Sequence, residues 1–330
     1  MKRAGGLIAR IADPDNLRLA FWKASRRKNG KEEVVTYRSH LDKNLLALRS
    51  EILEGKVDVG HYHYFKIYDP KERVICAAAF KERVLHHALM NVCHEHFERS
   101  QLFDSYACRA GKGTYAALSR AKLFQKKYAW FLKLDVRKYF YSISHEVLKQ
   151  RLQRVFKERK LLDIFGTIIG SYEASQGKGI PIGNLTSQYF ANHYLAAADR
   201  HVKEALRIPA YVRYMDDMVL WADDKAQLLS AGNAVTLLMR EKLQLELKPF
   251  CMNRADKGLP FLGYLLYPQK TRLGGVSRRR FCAKFTDYSR RLRHEAWSQE
   301  EYQRRILPLL AFVKHADSRE WRRAMLSPTS

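Results

Sequence analysis

The residues best suited to chemistry are Asp216 and Asp217, in the run Ala210-Tyr-Val-Arg-Tyr-Met-Asp-Asp-Met-Val-Leu-Trp221. β-Formers flank them, Tyr211 and Val212 before and Val219 and Leu220 after. The run therefore predicts a hairpin over 210–222 with carboxylates at its turn. A hairpin tip is a stiff holder for Mg²⁺, a hard cation that takes carboxylate and phosphate oxygens. Two such ions about 3.5–4 Å apart serve phosphoryl transfer by activating the attacking oxygen and stabilising the leaving one. Acids are common in turns, so the pair alone reads equally well as a polar turn. A third acid changes the balance. Asp135 closes the apolar stretch Phe131-Leu-Lys-Leu-Asp135, predicted as a buried strand over 130–135. If strand and hairpin are neighbours in one sheet, Asp135 and Asp216 form a two-metal site that only the fold can assemble.

The elements around them follow from periodicity. Residues 1–60 read as largely helical, with Leu45, Leu48 and Ile52 at helical spacing. Residues 62–79 read as a hairpin turning at Asp69-Pro70-Lys71-Glu72. Helices are predicted over 80–98, 114–127, 144–157, 161–173, 184–206 and 225–243, and strands near 244–248 and 260–267. Asp223-Asp224 follows the acidic hairpin and reads as the start of a helix, where acids suit the dipole. The last sixty or so residues carry Ser277-Arg-Arg-Arg, Ser289-Arg-Arg-Leu-Arg and Tyr302-Gln-Arg-Arg, which predict a helical bundle with a basic face.

Composition narrows the classes. A chain of 330 residues with 46% hydrophobic residues builds a substantial core, which excludes a disordered chain. Lys and Arg outnumber Asp and Glu by 60 to 34, a net charge of +26. That excess favours a polyanion such as nucleic acid, because neutralised phosphates release counterions. An anionic membrane surface or a generally basic fold are the alternatives. No apolar run is long enough to span a bilayer, and the basic N-terminus lacks a signal-peptide core. The cysteines Cys76, Cys93, Cys108, Cys251 and Cys282 contain no Cys-x-x-Cys pair. They suggest neither a disulfide framework nor a zinc site, and point to a reducing cytoplasm. Gly111-Lys-Gly-Thr114 is no phosphate loop, since Tyr106 stands where the first glycine is required. The histidine pairs 61/63, 86/87 and 94/96 lack partners at zinc spacing and read as core or surface residues.

The Asp135 segment and Tyr214-Met-Asp-Asp217 resemble the first and third catalytic motifs of reverse transcriptases. Gly177-Lys-Gly-Ile-Pro-Ile-Gly-Asn-Leu-Thr-Ser-Gln188 resembles the second, and Phe261-Leu-Gly-Tyr264 the primer grip. The motifs stand in the family's order over roughly residues 60 to 270. Where retroviral and intron enzymes usually carry Gln-Gly and Ser-Pro, this chain has Ile182-Gly183 and Ser187-Gln188. That form resembles the enzymes of diversity-generating retroelements, as do Phe80-Lys-Glu-Arg-Val-Leu-His-His-Ala-Leu89 and Ser105-Tyr-Ala-Cys-Arg-Ala-Gly-Lys-Gly-Thr114. Related bacterial enzymes linked to phage defence share much of the pattern.

The resemblance implies an α+β right-hand polymerase: an N-terminal helical extension (1–60), fingers (61–128), a palm of antiparallel sheet and helices (129–268, with part of the fingers, 144–185, inserted) and a basic helical thumb (269–330). It implies RNA-directed DNA synthesis with two Mg²⁺ ions, Mn²⁺ being the substitute. The ions would be held by Asp135 and Asp216, with Asp217 and the Val136 carbonyl assisting. Arg73 and Lys71 would meet the deoxynucleotide triphosphate, and Phe140 would lie beneath its sugar and exclude a 2′-hydroxyl. Ile182 would line the nascent base pair, and Gly183 would let the backbone approach the substrate. Lys248 would protonate departing pyrophosphate, or is a surface lysine. Lys81 and Arg83 would face template or solvent. Ser187 and Gln188 would position template, and Phe261, Leu262, Gly263 and Tyr264 would hold the primer end. Implied partners are a template RNA with a DNA or RNA primer, deoxynucleotides, a noncoding RNA and a small accessory protein, with no membrane. The setting would be the cytoplasm of a bacterium, or of one carrying a phage that encodes the chain. On this reading no RNase H, endonuclease or protease domain is expected within these 330 residues.

Overall fold

Four helices open the chain: α1 (Ile8–Ile11), α2 (Pro14–Ser25), α3 (Glu32–Ser39) and α4 (Leu41–Glu54). The computed structural model describes residues 2–68 and 72–326. Asp13 caps α2 by accepting from the Asp15 and Asn16 amides, and Pro14 fills its first turn. Strands β1 (Tyr62–Ile67) and β2 (Arg73–Ala78) form an antiparallel hairpin; of the turn expected at 69–72, residues 69–71 lie outside the described residues. Helices α5 (Phe80–Ser100) and α6 (Thr114–Lys127) follow, then β3 (Trp130–Asp135) and the short α7 (Tyr139–Ser142). Next come α8 (His145–Gln153), α9 (Arg159–Gly170) and α10 (Leu185–Arg200), which runs into a wider π-turn at His201–Ala205. Hairpin β4 (Ala210–Tyr214) and β5 (Asp217–Ala222), α11 (Lys225–Lys242) and β6 (Cys251–Arg254) complete the central layer. A small sheet of β7 (Leu259–Phe261), β8 (Tyr264–Leu266) and β9 (Thr271–Leu273) leads to α12 (Gly275–Arg293), α13 (Gln299–Lys314) and α14 (Arg319–Leu326).

The central sheet is antiparallel with strand order β4-β5-β3-β6. Successive side chains leave opposite faces of a strand, and the burial pattern obeys this. Leu132, Leu134, Tyr211, Met218 and Leu220 join one apolar core with the N-terminal helices, α5 and α8–α11. Phe131, Val212, Val219 and Trp221 join a second core with α6, β7, β8 and Phe312. The sheet is thus a shared wall, and the N-terminal helices belong to its first core rather than to a core of their own. The basic C-terminal helices dock on the second, where the Tyr264 hydroxyl donates to the Phe312 carbonyl at 2.6 Å and Tyr115 stacks on His315.

Several sequence expectations shift. The predicted strand at 244–248 makes only one bridge, Val136–Leu247. The true edge strand is β6, beyond Pro249, which has no N–H for a ladder. The helix expected over 144–157 stops at Gln153 and turns at Arg154–Val155, where Ala4 bridges Phe156 by bonding the backbone of Val155 and Lys157. The helix expected over 161–173 runs from Arg159 to Gly170. On the C-terminal helices, Asp287 pairs with Arg290 and Arg291, and Glu301 with Arg304 and Arg305. Several of the arginines read as a basic face are therefore neutralised within their own helix. All five cysteines are free thiols, and no helix among the described residues is long and apolar enough to cross a membrane.

Candidate active site

The register of β3 on β5 makes Asp135 and Asp217 direct cross-strand partners. The β4–β5 hairpin turns on Met215-Asp216, with Met215 in left-handed conformation at φ 54°. The three carboxylates therefore stand at one end of the central sheet. Asp217 is on the same face as Val219 and Trp221, and Asp135 on the same face as Phe131 and Lys133.

Two lysines hold two of these acids. Lys248 Nζ donates to Asp135 Oδ2 at 2.6 Å, and its amide donates to the Asp135 carbonyl at 2.9 Å. Lys133 Nζ lies 3.0 Å from Asp217 Oδ2, while Asp217 Oδ1 is buried with no hydrogen-bond partner. Burial pushes the Asp217 carboxyl up to about 6, against the pull of Lys133 and with the charges of Asp216 and Asp135 adding to the rise. Burial also raises Asp216. Its own amide, Lys248 and Arg73 oppose the shift, and Asp135 adds to it.

These donors have the right chemistry for Mg²⁺: hard oxygens, one of them buried and unpartnered. The bridge at Val136 adds another. Arg137 donates to the Glu246 carbonyl and Lys248 to the Asp135 carbonyl on either side of it. Val136 is thus the non-hydrogen-bonded residue, and its carbonyl faces the opposite edge, toward β5. The acids are not drawn to a common point, for no group of three His, Cys, Asp or Glu closes on one centre among the described residues.

The other candidate residues gather on the β2 side of this end. Arg73 opens β2, and its charge is felt at Asp216. Lys71 lies outside the described residues. The Tyr139 hydroxyl anchors α7 to the Ala191 carbonyl, and the half-buried Phe140 accepts the Ile180 amide on its carbonyl at 2.9 Å. Phe140 and the 180–183 segment are therefore neighbours. The Ile182 carbonyl in turn takes the Cys76 amide at 2.8 Å.

At Gly183, φ is +120° and a Cβ would come within 2.9 Å of Ile75 Cγ2, so the glycine lets this exposed turn approach β2 closely. Ser187 is buried, whereas Gln188 is half-exposed. Phe261 and Tyr264 are cross-strand partners buried in the second core. Only the Leu262-Gly263 turn, both residues at positive φ, is left to meet a ligand.

Sequence reasoning missed two residues. Lys133 sits two positions before Asp135, so period-two spacing alone puts it on the same face. Arg213 is a fully buried charge in a strand. It donates to Asp199 at 2.6 and 2.7 Å, to Asn192 at 3.1 Å and to the Met215 carbonyl at 3.0 Å. It thereby pins the turn that carries Asp216. The stretch 105–114 supports the same turn. Tyr106 donates its amide to the Arg213 carbonyl, and Thr114 donates to the Tyr214 hydroxyl at 3.0 Å.

The family model of reverse transcriptase (RNA-dependent DNA polymerase) matches residues 68–266. The chain belongs to the reverse transcriptase family. A nuclear intron maturase of Arabidopsis thaliana mitochondria is 28% identical over 85 residues, 26% of this chain and 12% of the maturase. Among solved structures, apo telomerase from Candida tropicalis is similar with a TM-score of 0.50 and 12% identity, over 69% of this reverse transcriptase and 52% of that chain. Telomerase of the same species with a fragment of telomeric RNA gives a TM-score of 0.50 and 11% identity, over 81% and 55%. The chain thus spans about half of those telomerases and a small part of the maturase, and the likeness establishes a right-hand polymerase fold.

Proposed function

We propose that the chain is an RNA-directed DNA polymerase that joins deoxynucleotides to a primer on an RNA template. The observation that carries this is the Asp135–Asp217 register, which puts three carboxylates at one end of a sheet in a reverse transcriptase fold. Asp135 and Asp216 would hold two Mg²⁺, or Mn²⁺ in their place, with Asp217 and the Val136 carbonyl assisting. Such ions activate the primer hydroxyl and stabilise the leaving oxygen. The side chains do the rest. Arg73 and Lys71 bind the triphosphate, and guanidinium forks suit phosphate oxygens. Phe140 bars a 2′-hydroxyl. Lys248 would give its proton to departing pyrophosphate. Gln188 positions template, and the Leu262-Gly263 turn supports the primer end. In this reading residues 61–128 are fingers, 129–268 palm with 144–185 inserted, and 269–330 thumb, behind a helical extension over 1–60.

We place the enzyme in a diversity-generating retroelement, copying a structured template RNA with an accessory protein in a bacterial cytoplasm. Ile182 supports this, because an apolar side chain beside the nascent base pair cannot police its geometry by hydrogen bonding. Antiphage defence with an associated noncoding RNA is the second reading, on the same motif form. Sequencing cDNA from cells carrying the native locus, beside an Asp216→Asn/Asp217→Asn control, tests both. Acid-dependent cDNA mutated at template adenines supports the first. Faithful or reiterated copies of a short noncoding RNA support the second. Absence of acid-dependent cDNA overturns the polymerase reading. An unchanged error spectrum in Ile182→Gln would remove the fidelity argument.

A further inference from the structure

Lys133 stands where the central sheet meets the small sheet β7–β9. Its position on β3, on the Phe131 face, sends its side chain toward the second core. There Nζ lies 3.0 Å from Asp217 Oδ2, donates to the Pro260 carbonyl at 2.8 Å and sits 6.0 Å from the centroid of the Phe261 ring. An ammonium has three donors, so one lysine serves both acceptors at once. Its side chain is only 21% exposed, which spares the link much of the screening that weakens surface pairs. Pro260 and Phe261 lie in β7, directly before the Leu262-Gly263 turn.

We propose that Lys133 is a positioning residue that ties Asp217 to the 259–266 hairpin and so fixes the spacing between the acids and the primer-supporting turn. The role of that turn rests on the polymerase reading; the tie itself does not. Two features set the tie apart from simple charge balance at Asp217. The Pro260 carbonyl needs a donor and no charge. Asp217 reaches the polar atoms of the hairpin through Lys133, which also donates to the Pro260 carbonyl.

The test uses the full chain with Lys133→Met, Asp217→Asn and both together. Amide hydrogen exchange over 259–266 is read against the β1–β2 hairpin. Binding of an RNA template annealed to a dideoxy-terminated DNA primer is read against binding of the template RNA alone. Each single variant should speed exchange in the hairpin by about tenfold and leave β1–β2 unchanged. The double variant should be no worse than Lys133→Met, because Lys133→Met removes the whole of the link that Asp217→Asn weakens. Lys133→Met should weaken primer–template binding by about tenfold and leave template RNA binding unchanged. Unaltered exchange in Lys133→Met, or single effects that add in the double variant, would overturn the tie. If Lys133→Met does not fold, exchange in Asp217→Asn decides alone. If exchange responds as expected but the wild-type chain does not bind primer–template, the tie stands and the polymerase reading fails.

Discussion

Two sets of ion pairs sit close together on the central sheet and are built on opposite plans. Arg213 and Asp199 are both fully buried. The guanidinium fork of Arg213 is filled by Asp199, Asn192, Gln101 and the Met215 carbonyl, and Tyr211 donates to Asp199 at 2.7 Å. Three residues on, Asp216 and Asp217 stand at the rim with Asp135. Each pairing there is with a flexible lysine, and Asp217 keeps a buried oxygen without a partner. Charge that serves the fold is saturated. Charge at the candidate site is under-satisfied, which leaves lone pairs for a ligand but costs stability.

The largest expected effect separates the two plans at the rim. Asp216→Asn should lower primer extension by about three orders of magnitude or more, equivalent to about 4 kcal/mol of transition-state stabilisation. Its unfolding midpoint should hold or rise, since burial already disfavours the carboxylate form. Single-turnover extension beside thermal unfolding measures both. Extension that persists would place the chemistry elsewhere.

Asp199→Asn should show the reverse profile. Leaving Arg213 buried without its counter-charge costs about 3–5 kcal/mol, read by urea unfolding. The apolar double variant Arg213→Met/Asp199→Leu should recover much of that, because a buried pair is often replaceable where a lone buried charge is not. A stable Asp199→Asn would mean that the network does not hold the sheet together, and the contrast would collapse.

The acids, the hairpin and the β3 strand were legible because alternation, β-formers and a carboxylate at a strand end are local signals. Asp135 meeting Asp217 was legible only as a condition, since strand adjacency is a property of the whole sheet. Arg213 was hidden in plain sight: its partners Asp199 and Asn192 lie on α10, and no local pattern joins a strand residue to a helix residue. The packing of Gly183 on β2 was not legible, because glycine signals close approach without saying of what. The turn over 215–216 was expected, but its support by 105–114 was not, because one amide and one hydroxyl contact between segments a hundred residues apart leave no mark on local pattern.

A third kind of polar residue sharpens the comparison. His86 is buried in α5 with neither ring nitrogen partnered, and burial, with His87 adding, lowers its pKa to about 3. A depressed histidine contributes stability that is present above the unfolded value near 6.5 and is lost as pH falls toward the folded value. Going from about pH 7.5 to about pH 5, this one residue should account for about 2 kcal/mol of lost stability, at 1.36 kcal/mol per pH unit below 6.5. His86→Leu should flatten the acid limb of a urea-midpoint profile by about that amount. An unaltered limb would mean that His86 finds a partner or water on protonation.

The smallest effect tests whether acids near the hairpin differ by environment rather than by type. Asp223 and Asp224 are as acidic as Asp216 and Asp217 and follow them within one strand, yet both are exposed and both accept backbone amides. Asp223 takes that of Ala129 at 2.9 Å, and Asp224 takes that of Ala226 at 2.7 Å as the cap of α11. Asp224→Ala should cost about 1 kcal/mol of stability, Asp224→Ser should restore most of it, and primer extension should be unchanged in both. A loss of extension with stability intact would make the second acid pair part of the site. The expected result assigns it to the helix: Asp223 and Asp224 are exposed and each already serves a backbone amide, whereas Asp217 keeps a buried oxygen without a partner.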